Sequence, residues 1–264
     1  MTTLLTSPLT VQEKGAELEP SEDMFRKLGG KFDSKAWLCY FLSNKSVRPL
    51  VRLPQEIKME DALREPLIAS LQRFQIGETG EGKHIKKFAK QLGDEAYSDC
   101  VDLFIKEEQG HGQILAEVIR ALDGTLLTWH WSDLVFIFLR RILGLKTEIF
   151  ILLIAEVVGK CFYKCIADKI EDDQLNEVFS LIVLDEIAHL QFHSHFLATQ
   201  MRGISWSLQA IVHYVWSIIF YTACFAFVVD HRKALCALGV PAAEFIERCS
   251  REFQRSASIV FRSL

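Results

Sequence analysis

Two glutamate–histidine pairs of identical form stand in this chain, Glu108-Gln109-Gly110-His111 and Glu186-Ile187-Ala188-His189. Each follows a lone acid by 30 residues, from Glu78 to Glu108 and from Glu156 to Glu186. A Glu and a His three positions apart on a helix lie roughly 60° apart around its axis, so both reach one point beside the same face. Two such pairs and two further Glu make a six-residue donor set with four carboxylates. That donor set suits two iron or manganese ions held between four helices.

A solvated polar face would produce the same letters, but the neighbours argue against it. Glu156 stands in the apolar run 151–158 (ILLIAEVV), and Glu186 and His189 stand in 181–190 (LIVLDEIAHL). A carboxylate in such surroundings is expensive unless it is paired or bound to a cation. Each pair is also preceded by an acid, Glu107 or Asp185. A metal-bound imidazole commonly donates its second N–H to a carboxylate. The expected arrangement is crossed, with Asp185 serving His111 and Glu107 serving His189; the competing reading of each acid is a solvated charge. Two further residues are open. Glu81 lies one turn beyond Glu78 and is an alternative ligand or a supporting acid. His193 lies one turn beyond His189 and is either an extra ligand or a hydrogen-bonded helix residue. Tyr163, two turns after Glu156, could approach the site but is expected as a packed core residue. The remaining histidines, at 84, 130, 195, 213 and 231, are expected to be structural or exposed.

Four helices must position this set. Apolar residues recur at helical spacing with no long strand-type alternation, so an all-α chain is expected. The helices are expected over 66–92, 95–122, 133–170 and 172–201, with covering helices over 205–238 and 241–261. Pro66 suits a first turn, Gly93-Asp94 a break, Asp123-Gly124 a stop, and Ser132-Asp133 and Asp172-Asp173 helix starts. Residues 1–58, with four of the six prolines, read as an irregular or loosely helical extension that covers the bundle or stays loose. Residues 59–264 then form one helical domain, with the metal bundle at about 66–200 and covering helices at 204–262. The equal spacing makes the two hairpins a degenerate repeat.

Charge and cysteine content narrow the function. The 264 residues carry a net charge of −4 and a pI near 6.1, which disfavours a nucleic-acid surface. Seven scattered Cys form no Cys-x-x-Cys pair, and Cys161 and Cys165, which share a helix face, read as packing residues. A reduced, cytoplasmic setting is expected, and no secretory start is visible. The stretch 210–229 (AIVHYVWSIIFYTACFAFVV) is long enough to span a bilayer. It contains His213, Tyr214, Ser217 and Thr222 and lacks a strong basic flank on its N-terminal side, so a buried helix over the bundle is preferred to membrane association, with a helix that dips into a membrane surface to fetch a lipid as a lesser alternative.

At these residues the chain resembles the ferritin-like di-iron carboxylate proteins, among them rubrerythrins, methane monooxygenase hydroxylase, ribonucleotide reductase small subunits, acyl-carrier-protein desaturases and aldehyde-deformylating oxygenases. The likeness covers about 66–200. It rests on Glu78, Glu108-x-x-His111, Glu156 and Glu186-x-x-His189. The acid before each Glu-x-x-His is similar to the monooxygenase and desaturase branch, and Phe74-x-x-Gly-Glu78-Thr resembles the first ligand helix of rubrerythrins. The resemblance implies a ferritin-like four-helix bundle, with Glu108 and Glu186 facing both metals, Glu78 and Glu156 as terminal ligands, and one His on each iron. It implies two Fe ions, or Mn/Fe or Mn/Mn pairs, with O2 as co-substrate. Family members with an extra His carry it one turn before the motif, where Phe104 and Ile182 stand here, which counts against His193.

The expected function is an O2-activating oxidase or oxygenase acting on a small or lipid-like apolar molecule by hydroxylation, desaturation or C–C cleavage. A rubrerythrin-like peroxide-reducing or iron-handling protein is the first alternative, disfavoured by the missing Cys-x-x-Cys pairs. A membrane-associated non-enzymatic helical protein is the second. Gly77, Gly80 and Gly82 near Glu78, and Gly110 and Gly112 around His111, leave room for O2 or substrate, or simply for tight packing. Phe136, Phe138, Phe150, Phe162, Trp216 and Phe220 fit an apolar substrate or plain core. No flavin or nicotinamide fingerprint is present, so an external donor such as a ferredoxin or a reductase is expected. Lys83, Lys86, Lys87 and Lys90 are either its landing site or a solvated helix face. A homodimer is compatible with all of this.

Overall fold

The computed structural model describes residues 32–47, 53, 56–128 and 145–261. Among the described residues every regular element is a helix, so the protein is all-α. In chain order these are α1 (Ser34–Val47), α2 (Asp61–Glu78), α3 (Lys83–Gln91), α4 (Glu95–Ala121) and α5 (Leu145–Lys169). They continue with α6 (Asp173–Met201), α7 (Trp206–Asp230), α8 (Arg232–Ala237) and α9 (Ala242–Val260).

Local chemistry explains the ends that matter. The Asp94 carboxylate accepts from Tyr97 N at 3.0 Å and starts α4, and Asp172 accepts from Leu175 N at 2.9 Å and starts α6. Each meets one of the first-turn N–H groups that have no helical partner. α4 closes where Asp123 turns left-handed (φ 63°) and Gly124 N donates to Ile119 O at 2.8 Å.

α2 packs on α4 and α5 on α6, and α4 meets α6 between these two hairpins. The interior is continuous and apolar, including Leu67, Leu71, Leu115, Val157, Phe162, Phe179 and Ile182. α9 leans on α5 and α6, and α8 packs on α2.

Several expectations are corrected. Within the stretch expected as an extension, residues 34–47 form a regular helix that covers the bundle: α1 packs on α4, with Trp37 and Phe41 wholly buried beside Phe192, so these residues share the core of the helices that follow. The expected helix over 66–92 begins earlier, at Asp61, where Arg64 bonds Asp61 and the carbonyl of Leu122. Pro66 therefore lies inside the helix rather than at its start. That helix also ends at Glu78 and restarts at Lys83 across a left-handed Gly82 (φ 58°), where a Cβ would run into the side chain of Ile105. The expected helix over 205–238 breaks at His231. The expected helix start at Ser132-Asp133, with His130, Phe136 and Phe138, lies outside the described residues.

Candidate metal centre

Four helices deliver one buried polar cluster. α2 contributes Glu78 from its last residue, α4 contributes Glu108 and His111, α5 contributes Glu156, and α6 contributes Glu186 and His189. The side chains fall into two donor groups, Glu108–Glu156–Glu186–His189 and Glu78–His111–Glu186, each offering ligand atoms within 4.8 Å of one another. Glu186 belongs to both.

Glu108 and Glu186 each approach both imidazoles. Glu186 Oε1 lies 3.3 Å from His111 Nδ1, and its Oε2 lies 3.6 Å from His189 Nδ1. Glu108 Oε1 lies 2.9 Å from His189 Nδ1 and 3.6 Å from His111 Nδ1. None of these contacts is aligned as a hydrogen bond: His111 Nδ1, His189 Nδ1, Glu108 Oε1 and Glu186 Oε2 are buried without a hydrogen-bond partner. Buried polar atoms are normally satisfied. Six donors converging on shared points, with both Nδ1 atoms unmet, fit a pair of cations better than a hydrogen-bonded network.

The opposite edge of each ring is held. His111 Nε2 lies 3.0 Å from Asp185 Oδ2, and His189 Nε2 lies 2.9 Å from Glu107 Oε2. Each ring thus donates across to the other ligand helix, in the crossed pairing expected from the sequence. A carboxylate only accepts, so the hydrogen sits on Nε2 and Nδ1 is left for a metal. Sequence reasoning missed what joins these two acids: Asn44 of α1 donates its amide to Glu107 Oε1 at 2.8 Å and to Asp185 Oδ1 at 3.1 Å. It also undervalued Tyr163, whose hydroxyl donates to Glu78 Oε1 at 2.7 Å while its ring is fully buried.

The open alternatives resolve geometrically. Glu81 lies past the end of α2, is exposed, and meets Lys83 instead of the cluster, because the helix that would have carried it back to the Glu78 face has stopped. His193 is fully buried, its ring edge-on to Phe104 at 4.7 Å, and belongs to neither donor group.

The electrostatics show what this cluster endures without a cation. Burial, then the charges of Glu108 and Glu186, push the Glu78 carboxyl well above its ordinary range. Burial, then Glu156, raises Glu108, and burial, then Glu186, raises Glu156 strongly. Glu186 moves the other way: burial opposes its ionisation, but the close polar contacts with the Glu156 carboxyl and the His111 and His189 rings outweigh it and hold it well below the usual value. Burial also opposes charge on the imidazoles, yet Asp185 and Glu186 raise His111, and Glu108 and Glu107 raise His189, well above the usual value. Protons here do the neutralising that divalent ions would do.

A cavity of about 630 Å³ reaches the cluster and includes Glu78, Glu108, Glu156 and Glu186 in its wall. The rest of the wall is mostly apolar, with Phe74, Phe104, Leu152, Ile154 and Val158 among its side chains. The glycines divide by role. Gly77 and Gly80 line the cavity, and a Cβ on Gly77 would meet nothing within 4 Å. Gly112 lets α4 approach the end of α2, since a Cβ there would sit 3.3 Å from Glu78 Cβ and Thr79 Cγ2. Of the aromatic residues expected to shape the substrate space, Phe150, Phe162, Trp216 and Phe220 are buried in the core rather than in the cavity wall.

No family model, curated protein or solved structure matches this chain.

Proposed function

We propose that this protein is a ferritin-like di-metal oxidoreductase, a di-iron oxidase or oxygenase that uses O2 on an apolar organic substrate. The observation that carries the reading is the pair of buried, unpartnered Nδ1 atoms, each facing the same two carboxylates, Glu108 and Glu186. Glu78 with His111 would complete one metal position, and Glu156 with His189 the other, with Glu108 and Glu186 shared. Carboxylate-rich ligation stabilises oxidised iron, and a reduced iron pair supplies two electrons to O2.

The chain's own residues do the rest. Asp185 and Glu107 fix the rings and raise their basicity, and Asn44 fixes those acids. Tyr163 holds Glu78 in one orientation, and burial, then the charge of Glu78, keeps its phenol protonated. The apolar wall excludes water and accepts a small or lipid-like molecule beside the carboxylates. This cavity favours an organic substrate over the peroxide-reducing or iron-handling alternative. Electrons would come from a ferredoxin or a reductase. Lys87 and Lys90 are exposed on α3 for such a partner, whereas Lys86 pairs with Asp102 at 3.2 Å and Lys83 meets Glu81. Seven free thiols suit a cytoplasmic, reducing setting.

The test is anaerobic loading with Fe(II) followed by rapid mixing with O2. The reading expects fast oxidation of the bound iron with a transient visible absorbance, both lost in Glu186→Ala. Bound Fe(II) that oxidises no faster than free Fe(II) would refute it.

A further inference from the structure

The helix that walls the cavity also carries the largest uncovered apolar face among the described residues. α7 turns Trp216, Phe220 and Cys224 inward, and Trp216 Nε1 donates to Phe150 O at 2.9 Å. Its outer side is different. Trp206, Ile211, Tyr214, Ile218, Phe225 and Val229 are all exposed, Tyr214 by 68% and Phe225 by 66%. They recur every three to seven residues and so form one stripe about 35 Å long. Only 17% of the helix's most apolar 18 residues are buried, which overturns the expectation of a buried cover. Residues 206–229 contain no Asp, Glu, Lys or Arg. The hydroxyls of Ser217 and Thr222 donate back to His213 O and Ile218 O, each at 2.8 Å, so they ask nothing of water.

This face is continuous with the cavity. Ile218, Ile219, Thr222, Ala223, Ala226 and Phe227 line it, and Ile218, Thr222 and Ala226 are exposed as well. Gly77 and Gly80, across from them, are exposed too. The route to the carboxylates therefore opens beside the apolar stripe.

We propose that α7 docks this protein on a lipid bilayer, lying in the interfacial layer, and that the cavity draws its apolar substrate directly from the bilayer. Docking stands on the exposed face alone; the capture of substrate rests on the oxidoreductase reading. The flanks match a lipid surface. Arg202 precedes the helix, and Arg232 and Lys233 follow it, all exposed and placed to reach headgroup phosphates. Trp206, Tyr214 and Tyr221 on the outer face suit the boundary between headgroups and acyl chains. The helix lies on the membrane rather than crossing it. α9 packs along its inner side, with Phe220 stacked on Phe253 at 4.1 Å, and α9 carries the exposed Arg251–Glu247 pair, which hydrocarbon would not accept. A second copy of the chain is a poorer occupant, because covering this face would shut the opening beside Ile218. A bilayer covers the face and leaves a lateral path for an acyl chain.

Flotation of the full chain with vesicles of phosphatidylcholine and phosphatidylserine, at about 7:3, tests the proposal. Tyr214→Glu with Phe225→Glu places two charges on the stripe without touching the cavity wall, and Leu42→Glu places one on the exposed face of α1. The expected result is flotation of the wild type and of Leu42→Glu, with at least a roughly tenfold smaller bound fraction for the double variant. Its circular dichroism and metal content should stay at the wild-type level. Failure of the wild type to float would overturn the proposal, as would equal flotation of the double variant. So would a wild-type dimer that ignores vesicles and falls to monomer on double substitution. Metal content on the same samples separates the two ideas: flotation without stoichiometric metal upholds docking and removes the oxidoreductase reading.

Discussion

One amide orients both imidazoles. Asn44 gives its two N–H groups to Glu107 and Asp185, whose other oxygens take the Nε2 hydrogens of His189 and His111. Asn44→Ala should therefore weaken metal binding at both positions together, by about tenfold, as residues behind metal-bound His typically do. The metal-free chain should lose only about 1 kcal/mol, the worth of ordinary hydrogen bonds. A competition titration with a metal indicator measures the first and denaturant unfolding the second; unchanged affinity would remove this role. Asn44 was not legible in the sequence. It sits in a Ser-Asn-Lys-Ser run that reads as a solvated segment, and its partners are 63 and 141 residues away. The six donors and the crossed acids were legible, because their types repeat at equal spacing and Glu156, Glu186 and His189 interrupt apolar runs.

At the scale of elements, two glycines make opposite predictions. Gly77 has open space around its missing Cβ, so Gly77→Ala should stabilise α2 by about 0.5–1 kcal/mol, the helical advantage of Ala. Gly112 faces Glu78 Cβ and Thr79 Cγ2, so Gly112→Val should push the end of α2 away, costing about 1–3 kcal/mol and displacing Glu78. Thermal unfolding and metal titration of the two variants check this pair; similar behaviour would contradict it. Helix identities and most boundaries after residue 60 followed from apolar spacing and capping acids, as Asp94 and Asp172 show. The early start at Asp61 and the break at His231 did not follow, and neither did two further features. The stop at Glu78 depends on Gly82 turning against Ile105, a contact between elements. The exposure of α7 was hidden because an apolar helix looks the same in sequence whether protein or lipid covers it.

For the molecule as a whole, the buried charges link stability to pH and to metal. Glu78, Glu108 and Glu156 hold protons above the ordinary carboxyl value of 4.5, and His111 and His189 above the ordinary imidazole value of 6.5. Each keeps its proton in the folded chain at pH values where the unfolded chain has lost it. Their contributions are therefore full below 4.5 or 6.5 and fade as pH rises through the folded values. Glu186, held low, contributes above 4.5 and loses its part as pH falls through its folded value. Glu186 is ionised in both states above about 5.5, so the five raised groups alone make the metal-free protein melt lower as pH rises from about 5.5 to 8.5. A divalent ion replaces those protons, so the gap between metal-loaded and metal-free melting temperatures should widen with pH. A gap that narrows would contradict this.

The most direct test is metal content per chain after loading with Fe(II) and removal of excess, in the wild type, Glu156→Ala and Glu186→Ala. Glu156 belongs to one donor group and Glu186 to both. The account predicts two ions per chain in the wild type, one in Glu156→Ala and none held stoichiometrically in Glu186→Ala. A wild-type chain that retains no stoichiometric iron, manganese or zinc would contradict it.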